Sequence, residues 1–425
     1  MVPKAETTRR GFLLAWVVLL GLITLVPGGE DSIRTSDPFL CLSCGIRGSA
    51  DAILNVVLFM PLGFLVAPRR GVRGALAAGL LLSGGIELSQ SMLPGRYPTL
   101  GDIVWNGSGA VLGAALALRL RRELEPGPGR PTWVATAIAA VLPLIYLGGA
   151  GLLLTPLGTD ARYYGQWTPD LDFMPVYGGQ VLDIETPQGP LPDGPMAQAP
   201  DLRLDGPWWF QARIVKGPPP VATAPIASIY DAEKHEIVLL GAHGEDLVWR
   251  ERTWAAPLGF EVPDRRFLGV LAGAAPGDTL EIGARGDDTR RCLMALGRED
   301  CAGGVTPGRT WGMLMFLEGA SEGQRRILDV GWMATLLVLV GLVGGSWRRT
   351  GLVTVIVVAG VGTIVVSTRL LPLTGPEWAG LVAGILVGVG LRPLFRHVVQ
   401  IDHRDRVSPV QGRQAGVDPA EAKLP

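Results

Sequence analysis

The chain has 425 residues, of which 48% are hydrophobic and 18% are charged, whereas soluble proteins carry roughly 25% charged residues. This composition argues against an ordinary soluble protein, and a formal net charge of −1 implies no bulk attraction to nucleic acid. The apolar residues concentrate in two blocks, residues 11–154 and 327–395. We therefore predict an α-helical polytopic membrane protein with one large polar insert, residues 159–326.

Eight segments have approximately the length and apolarity that a membrane-spanning helix needs, which is about 20 residues. The first two are short, so flanking residues must complete the crossing. Five spans precede the insert and three follow it. The predicted spans are Gly11–Val26, Ala52–Ala67, Ala75–Leu93, Ile103–Leu120, Thr132–Leu154, Ile327–Trp347, Leu352–Leu371 and Trp378–Phe395.

The arginines test this count independently, because short cytoplasmic loops are enriched in Arg and Lys. Every second connection is rich in arginine, beginning with residues 1–10 and ending with the polar tail 396–425. The pattern predicts that both termini are cytoplasmic and that residues 155–326 are external. The basic connections contain Lys4, Arg9, Arg10, Arg69, Arg70, Arg73, Arg119, Arg121, Arg122, Arg130, Arg348, Arg349, Arg392, Arg396, Arg404 and Arg406.

The first span has a second interpretation, as an export signal. The stretch Thr8–Leu13 resembles a twin-arginine signal, and a basic start before an apolar run also suits a cleaved signal peptide. No small-x-small cleavage site follows Val26, so a retained anchor is favoured. Cleavage would leave the orientation of the other spans unchanged.

Polar side chains recur at one depth, near the external ends of three spans. Such groups are costly inside a membrane and suggest function by default. Glu87 and Gln90 share a helix face at i, i+3 spacing, and Arg96 follows in the next short loop. We expect all seven polar residues to converge near the outer leaflet. The second and fourth spans contribute Asp51, Asn55, Asp102 and Asn106.

A purely structural role for this cluster is the alternative. Asn106 and Gln90 can hydrogen-bond one helix to another, and Arg96 can neutralise Glu87. Asp102 can cap the fourth helix. Because a membrane carboxylate is a costly way to join helices, a ligand or substrate site is favoured over a polar cap.

The motifs around these residues resemble those of VanZ-like membrane proteins, and the resemblance covers residues 12 to about 120. It implies a bacterial envelope protein of a family named from a low-level teicoplanin-resistance determinant, whose biochemical activity is not established. Some members begin this region with Asp-Lys and a histidine, whereas this chain has Ala52 and no histidine there, which weakens a proton-transfer role. The matching motifs are Asp51–Asn55, Leu58–Gly63, Gly85–Gln90, Leu93–Arg96 and Asp102–Asn106 with Gly109 and Gly113.

Glycines spaced four residues apart recur in three spans. This spacing lets helices in a membrane approach closely, so packing is the expected role. The pairs and triplets are Gly109 with Gly113, Gly341 with Gly345, and Gly380 with Gly384 and Gly388.

The insert contains short β-rich runs separated by turn signals, which predicts an external, all-β antiparallel sandwich. The proline-rich stretches Thr186–Pro200 and Gly217–Pro225 are expected to be loops. The predicted strands are Trp208–Val215, Ala227–Tyr230, Glu236–Leu240, Asp246–Arg252, Arg266–Leu271, Thr279–Arg285 and Thr310–Leu317.

This insert resembles the concanavalin A-like or laminin G-like jelly rolls that some VanZ-like proteins carry, through Trp208–Val215, Gly244–Thr253 and Thr310–Leu314. The resemblance implies glycan binding, sometimes with calcium, although a fold alone does not fix a function. No other cofactor is expected, and His235 and His243 are interpreted as exposed turn residues. The oxygen ligands available to calcium, which can equally be turn residues, are Asp183, Asp201, Asp205, Asp287 and Asp288.

All four cysteines lie on the predicted external side, where disulfides form. Four cysteines allow three pairings, of which Cys292–Cys301 is favoured because it closes a short loop. Cys41 and Cys44 form either a redox pair or a structural clip. The clip is favoured, since no thioredoxin-like βαβ pattern surrounds them.

These features predict a cell-envelope protein that binds or handles a glycan or a lipid-linked cell-wall precursor at the outer face of the bacterial cytoplasmic membrane. A membrane-embedded enzyme or lipid transporter that uses the polar cluster is one alternative. A structural envelope protein with a glycan-binding external module is another. The expected partners are the lipid bilayer and such a precursor, with no nucleic acid, and no catalytic residue is assigned.

Overall fold

The computed structural model describes residues 4–25, 39–43, 47–93, 96, 98–124, 133–157, 163–171, 174–187, 189–195, 207–231, 235–287, 290–301, 304–315, 317, 320–344 and 346–400. Several positions named above lie outside this part of the chain. They are Val26, Cys44, Arg130, Thr132, Pro200, Asp201, Asp205, Asp288, Gly345 and the end of the tail, residues 401–425.

Seven helices of the described residues are long and apolar enough to cross a membrane. Their outer faces carry large aliphatic side chains, such as Leu81 and Val366, which are 78% and 88% exposed and suit contact with lipid. The chain is therefore a multi-pass membrane protein. The helices are α1 (Lys4–Thr24), α2 (Gly48–Gln90), α3 (Leu100–Leu124), α4 (Trp133–Leu153), α5 (Glu322–Val343), α6 (Trp347–Ser367) and α7 (Gly375–Gln400).

Helix α2 contains the second and third predicted spans in one element of 43 residues. Gly71 interrupts it with φ 64° and ψ −170°, a backbone conformation that glycine adopts without steric penalty. Gly63 and Gly79 both face Ala110 of α3, although along a straight helix they would be about 24 Å apart. The two halves of α2 therefore fold back at Gly71, and each packs on α3.

Glycines allow α3 to pack against α2 backbone to backbone. A Cβ atom on Gly63 would overlap the carbonyl oxygen of Ala110, and one on Gly113 would overlap that of Met60. The predicted role of the spaced glycines in close helix packing is thus confirmed here. Helix α7 approaches α5 in the same way, through Gly380, Gly384 and Gly388 against the carbonyls of Val330, Ala334 and Val338.

The insert forms two antiparallel sheets of six strands each, and we call it the β-domain. The strands are β1 (Tyr163–Trp167), β2 (Gln180–Thr186), β3 (Gly189–Pro190), β4 (Gly194–Pro195), β5 (Trp208–Val215), β6 (Ala224–Asp231), β7 (Glu236–His243), β8 (Asp246–Glu251), β9 (Arg265–Phe267), β10 (Thr279–Gly286), β11 (Arg291–Ala295) and β12 (Arg298–Asp300). One sheet has the order β4-β1-β6-β7-β8-β9 and the other β12-β11-β10-β5-β2-β3.

The two sheets share one hydrophobic core. Strand β5 alternates buried and exposed residues, as a strand with one face in a core must. Its Trp208 stacks on Trp249 of the other sheet, with ring centroids 5.2 Å apart. The predicted all-β antiparallel insert is confirmed, and the jelly-roll topology stays a prediction.

The last predicted strand, Thr310–Leu317, is wrong. Residues Gly308–Met313 form a 3-10 helix instead. In this conformation Trp311 donates a hydrogen bond to Asp329 of α5, and the carbonyl of Thr310 accepts one from Tyr146 of α4. Short strands β3 and β4 also occur inside the stretch Thr186–Pro200, which was expected to be a loop.

An apolar cluster joins the β-domain to the membrane helices. Ala150 of α4 and Leu154, which directly follows α4, pack there with Ala255, Val305 and Met313. We call this cluster the seat. The β-domain is therefore fixed to the helices by buried contacts.

The β-domain also contacts the start of α2. The backbone N–H of Ala50 donates to the carbonyl of Gly259 at 3.1 Å. Arg47 forms an ion pair with Glu261 at 3.4 Å. The N-terminal end of α2 is thus held directly against the β-domain.

Cys292 and Cys301 form a disulfide, as the short loop between them predicted. Cys41 is disulfide-bonded as well, and none of the cysteines in the described part of the chain is free.

Candidate functional site

Polar side chains of α2 and α3 meet just beneath the β-domain. Asn55 donates a hydrogen bond from its amide to the carboxylate of Asp102. The backbone N–H of Thr99 donates to Glu87 Oε2 at 2.9 Å, and its hydroxyl accepts from the N–H of Asp102 at 3.1 Å. Both halves of α2 and the start of α3 therefore contribute to one cluster, which we call the α2–α3 polar cluster.

The carboxylates of this cluster lie close to one another. Glu87 is only 5% exposed, and it is near enough to Asp102 for their charges to repel. Arg96 attracts Asp102, and Arg47 attracts Asp51. Arg96 thus acts on Asp102, whereas the hydrogen bond to Glu87 comes from the backbone of Thr99.

Asn106 lies deeper and is 4% exposed. Its amide Nδ2 donates to the hydroxyl of Ser83 at 2.9 Å. Its Oδ1 is buried and has no hydrogen-bond partner among the described residues. Leaving such an acceptor unsatisfied costs about 1–3 kcal/mol, so the Asn106 carbonyl lacks the donor that its burial calls for.

The sequence did not single out Ser83 and Thr99. A signal for Ser83 exists, because Ser83, Glu87 and Gln90 are spaced i, i+4, i+7 and so share one helix face. Thr99 contributes a backbone N–H, which no residue pattern reveals.

Gln90 and Asp51 lie at the margins of the cluster. The Gln90 amide donates to the carbonyl of Thr24 at 2.8 Å, so it joins α2 to α1. Asp51 is exposed and interacts electrostatically with Arg47 and Glu261, next to the β-domain. The structure therefore brings together Asn55, Glu87, Arg96, Asp102 and Asn106, with Asp51 beside the β-domain and Gln90 against α1.

The chemistry available to this cluster is hydrogen bonding by acceptors, with arginine nearby. The oxygens of Glu87, Asp102 and Asn106 accept hydrogen bonds from hydroxyl, amide or ammonium groups. A guanidinium such as that of Arg96 suits a phosphate. The cluster can thus bind a polar headgroup that offers both donors and an anionic group.

The candidate calcium ligands are not gathered in the described part of the β-domain. Asp183 forms an ion pair with Arg213, and Asp287 Oδ1 accepts from the N–H of Arg290 at 2.8 Å. The metal-ligand group found among the described residues comprises Cys292, Glu299 and Cys301, and its thiols are consumed by the disulfide. A calcium site stays a prediction.

A second polar centre, which the sequence did not single out, lies where α5 meets the β-domain. Arg309 Nη2 donates to Asp329 Oδ2 at 2.8 Å and to Glu322 at 3.0 Å. Trp311 Nε1 donates to Asp329 Oδ1 at 2.8 Å. The signal that could have found it is Asp329, an ionisable residue within the sixth predicted span.

A family model matches the membrane helices that hold the α2–α3 polar cluster. The VanZ/LLP1 family model matches residues 11–121, a range that includes all seven predicted polar residues. No curated protein and no solved structure matches the chain.

Proposed function

We propose that this chain, whose residues 11–121 carry a VanZ/LLP1 domain, binds the headgroup of a lipid-linked cell-wall precursor or glycan at the outer face of the bacterial cytoplasmic membrane. The observation that supports this is the buried Oδ1 of Asn106, which has no hydrogen-bond partner in the described residues. Because buried polar groups are normally satisfied, an unsatisfied acceptor beside Glu87 and Asp102 favours a ligand.

A lipid-linked sugar matches the chemistry of the α2–α3 polar cluster. Its hydroxyl and amide groups would donate to Glu87 and Asn106, and its phosphate would contact Arg96. A membrane-embedded enzyme or lipid transporter would use the same residues, with a carboxylate also able to move a proton. A structural envelope protein with a glycan-binding β-domain would not need them.

The topology is part of the proposal. If both halves of α2 cross the bilayer, the seven helices make eight spans, the termini are cytoplasmic and residues 155–326 are external. If α2 crossed once, Arg122 would lie outside and the β-domain would be cytoplasmic. The arginine pattern favours eight crossings.

We expect a reporter that is active only in the cytoplasm to be active when fused after Arg122 or Arg349, and silent when fused after Gly303. Arginine-rich connections stay inside because short basic loops are retained there. Enzyme activity of each fusion, normalised to its expression level, is the measurement. Activity after Gly303 with silence after Arg122 would establish the opposite orientation.

The function is tested with Asn106→Leu in the full chain reconstituted in nanodiscs. The probe is an undecaprenyl diphosphate-linked disaccharide, and its Kd is measured for each variant. We expect Kd to rise at least tenfold, about 1.4 kcal/mol. The melting temperature should be unchanged or higher, since the change removes an unsatisfied buried acceptor.

Ser108→Ala is the matched control in the same helix, because its hydroxyl donates to the carbonyl of Val104 one turn earlier in α3 itself. This control should bind the probe like the unaltered protein. If Asn106→Leu binds the probe as the unaltered protein does and has a lower melting temperature, the α2–α3 polar cluster has a structural role in helix packing and does not bind the probe. Chemical conversion of the probe during incubation would favour the enzyme alternative.

A further inference from the structure

A second candidate site lies between the β-domain and the external ends of α5 and α7. It is a cavity of about 450 Å³, a volume within the range of roughly 300–1,000 Å³ that small-molecule sites occupy. Its walls include Arg266 and Phe267 of β9, Arg309, and Thr374 just before α7. This cavity is distinct from the α2–α3 polar cluster, which lies at the start of α3.

Arg266 is the unusual member of the lining. Its side chain is 10% exposed, and its Nε is buried without a hydrogen-bond partner among the described residues. Its ion pairs with Asp264 and Asp246, at 3.6 and 3.9 Å, are too long to be hydrogen bonds. The Nε atom is enclosed and costly to leave unpaired, whereas the terminal N–H groups of Arg266, which lines the cavity, can donate to an acceptor oxygen there.

The other charges of the lining already have partners. Arg309 hydrogen-bonds to Asp329 at 2.8 Å and to Glu322 at 3.0 Å. Arg326 forms an ion pair with Glu322 at 3.4 Å. These contacts leave Arg266 as the donor that calls for a ligand.

The charge balance decides which kind of ligand fits. Three arginines and three carboxylates line the cavity, so it has no net charge. An anion at Arg266 would also meet Asp264 and Asp246, both within 4 Å of the same guanidinium. A cation would meet the arginines. A neutral ligand whose groups both donate and accept hydrogen bonds therefore suits this cavity best.

We propose that this cavity binds a neutral sugar residue of an oligosaccharide, with a sugar oxygen accepting a hydrogen bond from Arg266. Hydroxyl groups satisfy guanidinium and carboxylate neighbours alike, and Phe267 and Pro376 offer apolar surface to the C–H face of the ring. The inference rests on the proposed function only for the external location of the β-domain. It deepens that function by naming a place where a glycan binds.

The test is titration calorimetry on the full chain in nanodiscs with three neutral probes: N,N′-diacetylchitobiose, cellotriose and mannotriose. We expect at least one probe to bind. Thr374→Trp should weaken that binding at least tenfold, because the indole fills the cavity from an exposed position. Thr374→Val, which adds no volume, should bind like the unaltered protein.

Arg266→Gln tests the proposed donor directly and should also weaken binding at least tenfold. If Arg266→Gln does not fold, the comparison of Thr374→Trp with Thr374→Val tests the proposal. Both of these variants keep the backbone N–H of residue 374 that donates to Glu377, so both should fold. The proposal is overturned if none of the three probes binds. It is also overturned if Thr374→Trp binds as well as Thr374→Val, or if inorganic phosphate displaces the sugar.

The outcome is separable from that of the α2–α3 polar cluster. Asn106→Leu should leave oligosaccharide binding at the cavity unchanged while it weakens binding of the lipid-linked probe. Failure of one site therefore leaves the test of the other intact.

Discussion

Gly63→Val is expected to destabilise the chain by about 3 kcal/mol, at the upper end of the usual range for overpacking. A Cβ atom at this position would overlap the carbonyl oxygen of Ala110, and backbone atoms cannot rotate away as a side chain can. The α2–α3 interface would have to separate, and the polar cluster above it would lose its geometry. Denaturant unfolding of the purified protein in detergent measures the loss.

The matched control is Gly85→Val in the same helix. No atom lies within 4 Å of a Cβ built on Gly85, so the added methyl groups meet open space at the lipid-facing surface. This variant should unfold at nearly the same denaturant concentration as the unaltered chain. Equal stability of the two variants would contradict the close backbone packing of α2 on α3.

Asp329→Leu is expected to lower stability by roughly 3 kcal/mol, the lower end of what breaking a buried ion pair costs. Asp329 is 7% exposed and accepts hydrogen bonds from Arg309 and Trp311. Burial alone would lower the pKa of Arg309. The hydrogen bonds to Asp329 and Glu322 and the negative charges of these two residues outweigh burial, so the pKa is raised. Removing Asp329 leaves this partly buried cation with Glu322 alone. Thermal unfolding of the full chain is the measurement.

Two further variants test whether the lost stability comes from breaking the Arg309–Asp329 ion pair or from substituting a residue in general. Arg309→Met combined with Asp329→Leu should recover most of the stability, because an apolar replacement of both partners strands no charge. Asp183→Leu removes the partner of Arg213, whose side chain is 55% exposed, and should change stability by at most about 1 kcal/mol. A double variant no more stable than Asp329→Leu alone would disprove the ion-pair explanation.

The sequence predicts most reliably what depends on local composition. Long apolar runs and spaced glycines each report a property of one segment, and the helices follow them closely. The sequence could not show that the second and third predicted spans meet directly at Gly71, because glycine is also frequent inside membrane helices. Strand Trp208–Val215 was predicted at its observed limits because its alternation is regular.

Features that depend on distant partners could not be predicted. Glu87 was expected to face Arg96, yet its hydrogen bond comes from the backbone of Thr99, at the start of α3. The first N–H groups of a helix lack intrahelical acceptors and attract anions, so this contact has a physical cause that residue types do not display. Thr310–Leu317 has the composition of a β-strand, but Trp311 donates to Asp329 of α5 and the carbonyl of Thr310 accepts from Tyr146 of α4. These distant partners accompany a 3-10 helix there.

The apolar contacts of the seat hold the β-domain in a fixed position against the membrane helices. Residues 159–326 are not a separable module, because cutting them free would uncover Ala255, Val305 and Met313 and favour aggregation. A domain held in this way cannot reach out for distant polymers as a tethered one can. It stays at a fixed distance from the lipid headgroups, so any ligand of the β-domain would have to reach it by lateral diffusion in the bilayer or as a soluble fragment.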